Sequence, residues 1–224
     1  MAEARRFKAV LFDVDGTLVD TVDLHAESWV RTFRHFGHDI PFPEVRAQIG
    51  KGGDQLMPVF LPKEEVERRG EAMEAWRKQL YMGEMIGGVR GFPGVADLFR
   101  RVRAAGMRVV LASSGKPDEL EHYKRLLGIG DLVDAATTSE DAERSKPHPD
   151  IFLAALDGLP PDQAIVVGDS PYDAEAAGKA GLRSIGLLSG GFAAEDLRAA
   201  GCVALYRDPA ELLARYDDSP LAGR

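Results

Sequence analysis

Cysteine is nearly absent from this 224-residue chain, with Cys202 alone. No intrachain disulfide can form, no cysteine cluster can hold zinc, and the lone thiol is expected to be buried rather than reactive. Long apolar runs are missing too. The first, Ala9 to Phe12, follows Arg5 and Arg6 and is too short for a signal sequence or a membrane span, so the Arg5-Arg6 pair reads as a solvated arm. Positive charge is in deficit, with 28 Lys and Arg against 36 Asp and Glu for a formal −8. A chain so charged repels nucleic acid and anionic membranes at long range, and neither is an expected partner. These absences point to a soluble, cytoplasmic protein. They leave its oligomeric state open, and no internal repeat or low-complexity segment is present.

What the chain does have is 45% apolar residues, enough for a sizeable core. Short apolar runs bounded by Gly, Ser or Asp recur at Ala9 to Phe12, Arg108 to Ala112, Leu132 to Ala136, Ala164 to Val167 and Arg183 to Leu188. They read as buried strands, with Val203 to Leu205 as a sixth at the periphery. Between them lie residues at helical spacing, such as Val95, Leu98, Phe99 and Val102, or Leu120, Tyr123 and Leu127. The alternation predicts an α/β fold, a Rossmann-like doubly wound parallel sheet.

Residues 21–87 break the rhythm, with helical patterns and no convincing strand. They predict an all-helical cap domain inserted into an α/β core formed by residues 1–20 and 88–224. Two stripes, His25, Trp29, Phe33 with Phe36 and Val66, Met73, Trp76 with Leu80, suit packing inside it. Asp20 is the expected cap of its first helix, and Gly87-Gly88 with Gly91 and Pro93-Gly94 the flexible return.

The chemistry gathers at strand ends. The first strand runs into Asp13-Val14-Asp15-Gly16-Thr17, where two carboxylates share a face and Gly16 permits a sharp turn. Two anions there cost stability unless a cation or proton compensates. Asp169 ends the fourth strand, and Asp173 falls in the first turn of the next helix. With Asp13 and Asp15 they make an oxygen-only set of the kind Mg²⁺ selects. Ser113-Ser114-Gly115-Lys116, after the second strand, offers hydroxyls and backbone N–H groups to a phosphate. Lys146, followed by Pro147 and Pro149, suits a point charge on the same group.

In this order the four motifs resemble the haloacid dehalogenase-like superfamily, specifically its Mg²⁺-dependent phosphatases with a helical cap after the first strand. The resemblance spans about Phe7 to Leu213. It implies hydrolysis of a small phosphorylated metabolite, with Asp13 as nucleophile forming an aspartyl-phosphate and Asp15 as general acid, then base. It further implies Mg²⁺ on the Asp13 and Asp169 carboxylates and the Asp15 carbonyl, phosphate contacts from Ser113, Ser114 and Lys146, and Asp173 in support. Asp13 and Asp169 are expected to raise the Asp15 pKa while Mg²⁺ and Lys146 oppose them.

Substrate choice in such enzymes falls to the cap, where His25 and Lys51 are the candidate contacts. Lys51 sits in a glycine-rich stretch, Gly50 to Asp54, expected to be a mobile loop. His25 matches a histidine of beta-phosphoglucomutases, which makes a phosphosugar mutase the alternative. Those mutases carry an arginine where this chain has Gly53 and a glutamate where it has Gly168. Asp15 argues against the dehalogenase and phosphonatase branches, which lack the second aspartate. A non-catalytic phosphate sensor would be expected to have lost a charged position, and none is lost.

Overall fold

Strand β1 (Ala9–Phe12) is apolar throughout because it lies in the middle of the sheet and is covered on both faces. The computed structural model describes residues 7–223, and the Arg5-Arg6 arm lies outside them. β1 pairs in parallel with β4 (Arg108–Ala112) on one side and β6 (Ala164–Gly168) on the other. β5 (Ala135–Thr137) extends the sheet beyond β4, and β7 (Arg183–Leu187) and β8 (Cys202–Tyr206) extend it beyond β6. The order is β5-β4-β1-β6-β7-β8, all parallel. Such an order changes direction beside β1, and ligands of open α/β sheets bind at that point, outside the strands' carboxyl ends.

Alternation along β1 divides the core. Val10 and Phe12 join one buried cluster with Val95, Leu98, Phe99 and Val102 of α5 (Val95–Ala104) and with Leu120 and Tyr123 of α6 (Pro117–Leu127). Ala9 and Leu11 point the other way, to α7 (Asp150–Leu156) and α8 (Pro171–Lys179). Each fully buried side chain of this size contributes about 1.5–3 kcal/mol relative to exposure. Short helices α9 (Ala194–Ala199) and α10 (Pro209–Ala214) complete the layers.

The third predicted strand, Leu132 to Ala136, is displaced. Gly130–Leu132 forms a 3-10 turn, and the Asp134 carboxylate accepts from the Val109 N–H at 2.8 Å, so pairing begins only at Ala135. The peripheral strand is present and longer than its apolar trio. Cys202 at its start is partly buried, and burial pushes its thiol up to about 11.

Four α-helices stand between β1 and α5: α1 (Val22–His35), α2 (Phe42–Arg46), α3 (Gly53–Phe60) and α4 (Lys63–Leu80). They have their own apolar cluster, including Trp29, Phe33, Val45, Leu56 and Met73. Two short strands tie the entry to the exit: β2 (Val19–Asp20) pairs antiparallel with β3 (Arg90–Gly91). Asp20 is therefore a strand residue and not the helix cap. Thr21 occupies the cap position of α1, and its side chain caps nothing there because it donates to Asp15 instead. Gly53 and Asp54 belong to the first turn of α3, which shortens the expected loop.

Candidate active site

Adjacent strands place the motif residues side by side. Asp13 leaves β1, its N–H donating to Val167 at 2.9 Å, Ser113 leaves β4, its N–H donating to Thr137 at 3.0 Å, and Asp169 leaves β6. Lys146 arrives from the loop before α7. Its Nζ, 1% exposed as a residue, contacts Asp13 Oδ1 at 2.5 Å, Asp173 Oδ1 at 2.8 Å and the Ala112 carbonyl at 3.3 Å. Burial alone would drive this ammonium down, but Asp13 and Asp173 outweigh it and hold it above its usual range. Burial pushes the Asp13 carboxyl up to about 7; Lys146 pulls it back, and Asp173 and Asp15 add to the rise.

Asp173 is fixed by its helix start. Its Oδ2 accepts from the Ser170 N–H at 3.0 Å and the Ser170 hydroxyl at 2.6 Å, a capping box that opens α8 with Pro171 at its first position. The other oxygen is left to hold Lys146. Thr17, inside the first motif, sits with its hydroxyl 3.0 Å from Asp13 Oδ2 and 2.8 Å from Asp169 Oδ1.

Asp15 belongs to a different environment. Its Oδ1 is 2.8 Å from the Thr21 hydroxyl and 2.9 Å from His25 Nε2. Burial acts to raise its pKa, yet His25, Thr21 and Lys146 together hold it below the ordinary carboxylate value. The balance that the sequence left open between Asp13 and Asp169 on one side and Lys146 on the other is tipped by two groups outside it, because α1 brings a histidine and a threonine close to this carboxylate. His25 Nδ1 lies 3.3 Å from Nη1 of Arg77 on α4. A guanidinium only donates, so Nδ1 accepts and the ring proton sits on Nε2, facing Asp15. The ring stacks on Tyr81 at 4.3 Å, so His25 leaves the packing stripe to which its spacing assigned it.

Carboxylate oxygens of Asp13, Asp169 and Asp173 lie within 4.8 Å of one another, all buried. An all-oxygen set with excess negative charge fits a hard divalent cation such as Mg²⁺. The backbone leaves room for it. A Cβ on Gly16 would fall 2.3 Å from Asp169 Oδ2 and one on Gly190 only 1.8 Å, so neither glycine can be replaced without displacing that carboxylate. Gly16 also has φ 78°, which glycine adopts freely. Asp173 stands in this cluster where the Asp15 side chain does not.

A cavity of about 300 Å³ opens between these strand tips and the helices of the insertion. Asp13, Asp15, His25, Lys51 and Ser114 line it, with Trp29, Arg77 and Glu119, none of the last three foreseen as site residues. Arg77 reaches His25 across 52 positions of sequence, a contact no local pattern carries. Thr17 lies inside the quoted motif and was legible there. Lys51 is at the wall, but its ammonium is 2.5 Å from Gln48 Oε1 and 4.7 Å above the Tyr172 ring. The Ser113 hydroxyl accepts from the Gly115 N–H at 3.0 Å, which folds the turn after β4.

A parallel α/β core with a buried aspartate–lysine pair and an oxygen-rich cluster at its strand tips defines a class of hydrolases. Residues 7–181 match the family model of the haloacid dehalogenase-like hydrolases, and the chain belongs to that family. It is 32% identical over 185 residues to the PpaX protein of Clostridium perfringens, provisionally named a pyrophosphatase, covering 80% of this chain and 83% of that one. It is 30% identical to the phosphoglycolate phosphatase of Cereibacter sphaeroides, over 78% of this chain and 82% of that one. A solved hydrolase from Pseudomonas syringae superposes with a TM-score of 0.82 at 28% identity, over 94% of this chain and 98% of that one. Among the described residues, no helix is long and apolar enough to cross a membrane.

Proposed function

We propose that the chain is a Mg²⁺-dependent phosphatase of a small phosphorylated metabolite, working through an aspartyl-phosphate on Asp13. The observation that carries this reading is the single cluster of Asp13, Lys146, Ser113 and Asp169 at three neighbouring strand tips. The activities in the names of the two relatives, on a phosphoric ester and an anhydride, support it. A carboxylate oxygen of Asp13 attacks phosphorus as the bond to the leaving oxygen breaks, and Asp15, held ionised by His25 and Thr21 until the arriving phosphoryl anion raises its carboxyl, delivers a proton to that oxygen. Asp15, now ionised, takes a proton from the water that attacks the aspartyl-phosphate, which releases inorganic phosphate and restores Asp13.

Lys146 and the turn at Ser113 and Ser114 hold the phosphoryl oxygens, and Asp173 keeps Lys146 in place. Asp13 and Asp169 would hold Mg²⁺ with the Asp15 carbonyl, and the ion would offset the repulsion between carboxylate and phosphate. The proton on His25 Nε2 suits Asp15 in its basic form, and residues 21–87 act as the cap that shuts water from the cavity.

One observation favours a mutase as the second reading: His25 lies against Asp15 as the resemblance to beta-phosphoglucomutases implies. Gly168 opposes it, because a Cβ there would fall 2.6 Å from Asp173 Cβ and leave no place for the mutases' glutamate. The test is Mg²⁺-dependent release of phosphate from para-nitrophenyl phosphate, with a loss of about 10³-fold or more expected in Asp13→Asn. Metal-loaded protein without turnover ends the phosphatase reading. Beta-glucose 1-phosphate supplied with a bisphosphate activator separates the two, since glucose 6-phosphate accumulating without free phosphate identifies a mutase.

A further inference from the structure

The wall of the cavity facing Asp15 contains two polar groups that the proposed reaction does not use. Glu119, in the first turn of α6, is fully buried, and neither of its carboxyl oxygens has a hydrogen-bond partner. Arg77 lies close enough to stabilise its charge, and His25 adds to that. Arg77 has an unsatisfied donor of its own: Nε makes no hydrogen bond, and Glu74 Oε2 stays 3.7 Å away. Both residues line the cavity beside Asp15. Buried polar groups without partners are rare and costly, so a complementary pair at a cavity wall marks where a ligand supplies the missing bonds.

The chemistry of the missing group follows from what each residue lacks. A hydroxyl serves both, since its hydrogen goes to Glu119 and its oxygen accepts from Arg77. A carboxylate or second phosphate would satisfy Arg77 but set an anion against Glu119. Carboxylates also outnumber cations around the cavity, and Lys51, the other cation from the helical insertion, is occupied by Gln48 and Tyr172. Asp15 faces the leaving oxygen in the proposed reaction, so this wall meets the leaving group and not the phosphoryl oxygens.

We propose that Glu119 and Arg77 bind a neutral hydroxyl of the leaving group, so that the enzyme selects phosphate monoesters of sugars or polyols over phosphorylated acids and pyrophosphate. This rests on the phosphatase reading. The test compares kcat/KM for a panel of sugar and polyol monophosphates with 2-phosphoglycolate and pyrophosphate, in wild type and Glu119→Gln, with para-nitrophenyl phosphate as control. At least one polyol ester is expected to exceed both anionic substrates by about tenfold or more in wild type, because a site built to bond a hydroxyl rejects a group that leaves it unpaired. Glu119→Gln, similar in shape but uncharged, is expected to shrink that ratio several-fold. Deoxy analogues of the preferred ester, turned over by wild type, give an independent reading should the variant not fold, and one of them is expected to lose about tenfold. A wild type that prefers phosphoglycolate or pyrophosphate, a ratio unmoved by Glu119→Gln, or deoxy analogues that all match their parent would each overturn the proposal. Absence of para-nitrophenyl phosphate turnover would instead remove the phosphatase reading beneath it.

Discussion

At the scale of residues, the site sorts its carboxyl groups by surroundings. Asp13 and Asp173 hold one ammonium with Asp169 beside them, whereas Asp15, only two positions from Asp13, belongs to Thr21 and His25. Glu119 has neither arrangement, and burial is its largest influence: it raises the carboxyl above its ordinary value of 4.5, with Arg77 on α4 and His25 on α1 lowering it and Asp15 and Asp118 raising it further. A group whose folded pKa lies above its unfolded one contributes stability below the unfolded pKa and loses it as pH rises through the folded one. Glu119 therefore weakens the fold as it ionises. Glu119→Gln should match wild type most closely near pH 4 and gain on it as pH rises from about 4.5, levelling off above the folded pKa, by about 1–3 kcal/mol at most for relief of one unpaired buried group. Urea unfolding of both proteins across that range checks this, and a stability difference flat with pH would defeat it.

At the scale of elements, several contacts fasten the helical insertion over the strand tips. The Tyr172 hydroxyl, in the first turn of α8, donates to the Ala47 carbonyl at 2.6 Å, and Lys51 lies over its ring. Arg46 reaches the Gly190 carbonyl at 3.2 Å, and the Ser145 N–H donates to Asp54 Oδ2 at 3.1 Å beside Lys146. Tyr172→Phe removes the first of these without disturbing the capping box at Ser170. Amide exchange of residues 47–52 should then quicken several-fold while that of β1 and β6 is unchanged. Equal protection in both proteins would show that Tyr172 does not fasten the insertion. None of these contacts was legible in the sequence, because each joins residues of unrelated pattern across a long separation. Periodicity served where an element buries one face, as in α5 through Val95, Leu98, Phe99 and Val102. It failed at β2 and β3, two residues each, which are too short to show a period. The strand-tip motifs were readable because adjacent chain positions carry their own chemistry, whereas Arg77 and Glu119 become part of the site only through packing.

At the scale of the molecule, a net charge of −8 is compatible with an anionic substrate because the field that matters is local: Lys146 is buried among the strand-tip carboxylates, and a divalent cation would complete the balance. The opposite wall of the cavity comes from the helical insertion, so binding at the strand tips should be sensed there. The two tryptophans are placed differently for reporting it. Trp29 lines the cavity, with the Arg77 guanidinium 5.0 Å from its ring centre. Trp76 stacks on His35 at 4.5 Å and packs against the main core. Addition of Mg²⁺ with orthovanadate, which occupies phosphoryl sites, should therefore change the fluorescence of Trp29 by altering its contact with Arg77 and the water in the cavity. The change should persist in Trp76→Phe and vanish in Trp29→Phe. A signal that survives Trp29→Phe, or an unchanged wild-type spectrum at saturation established by calorimetry, would mean that the cavity wall does not respond to what the strand tips bind.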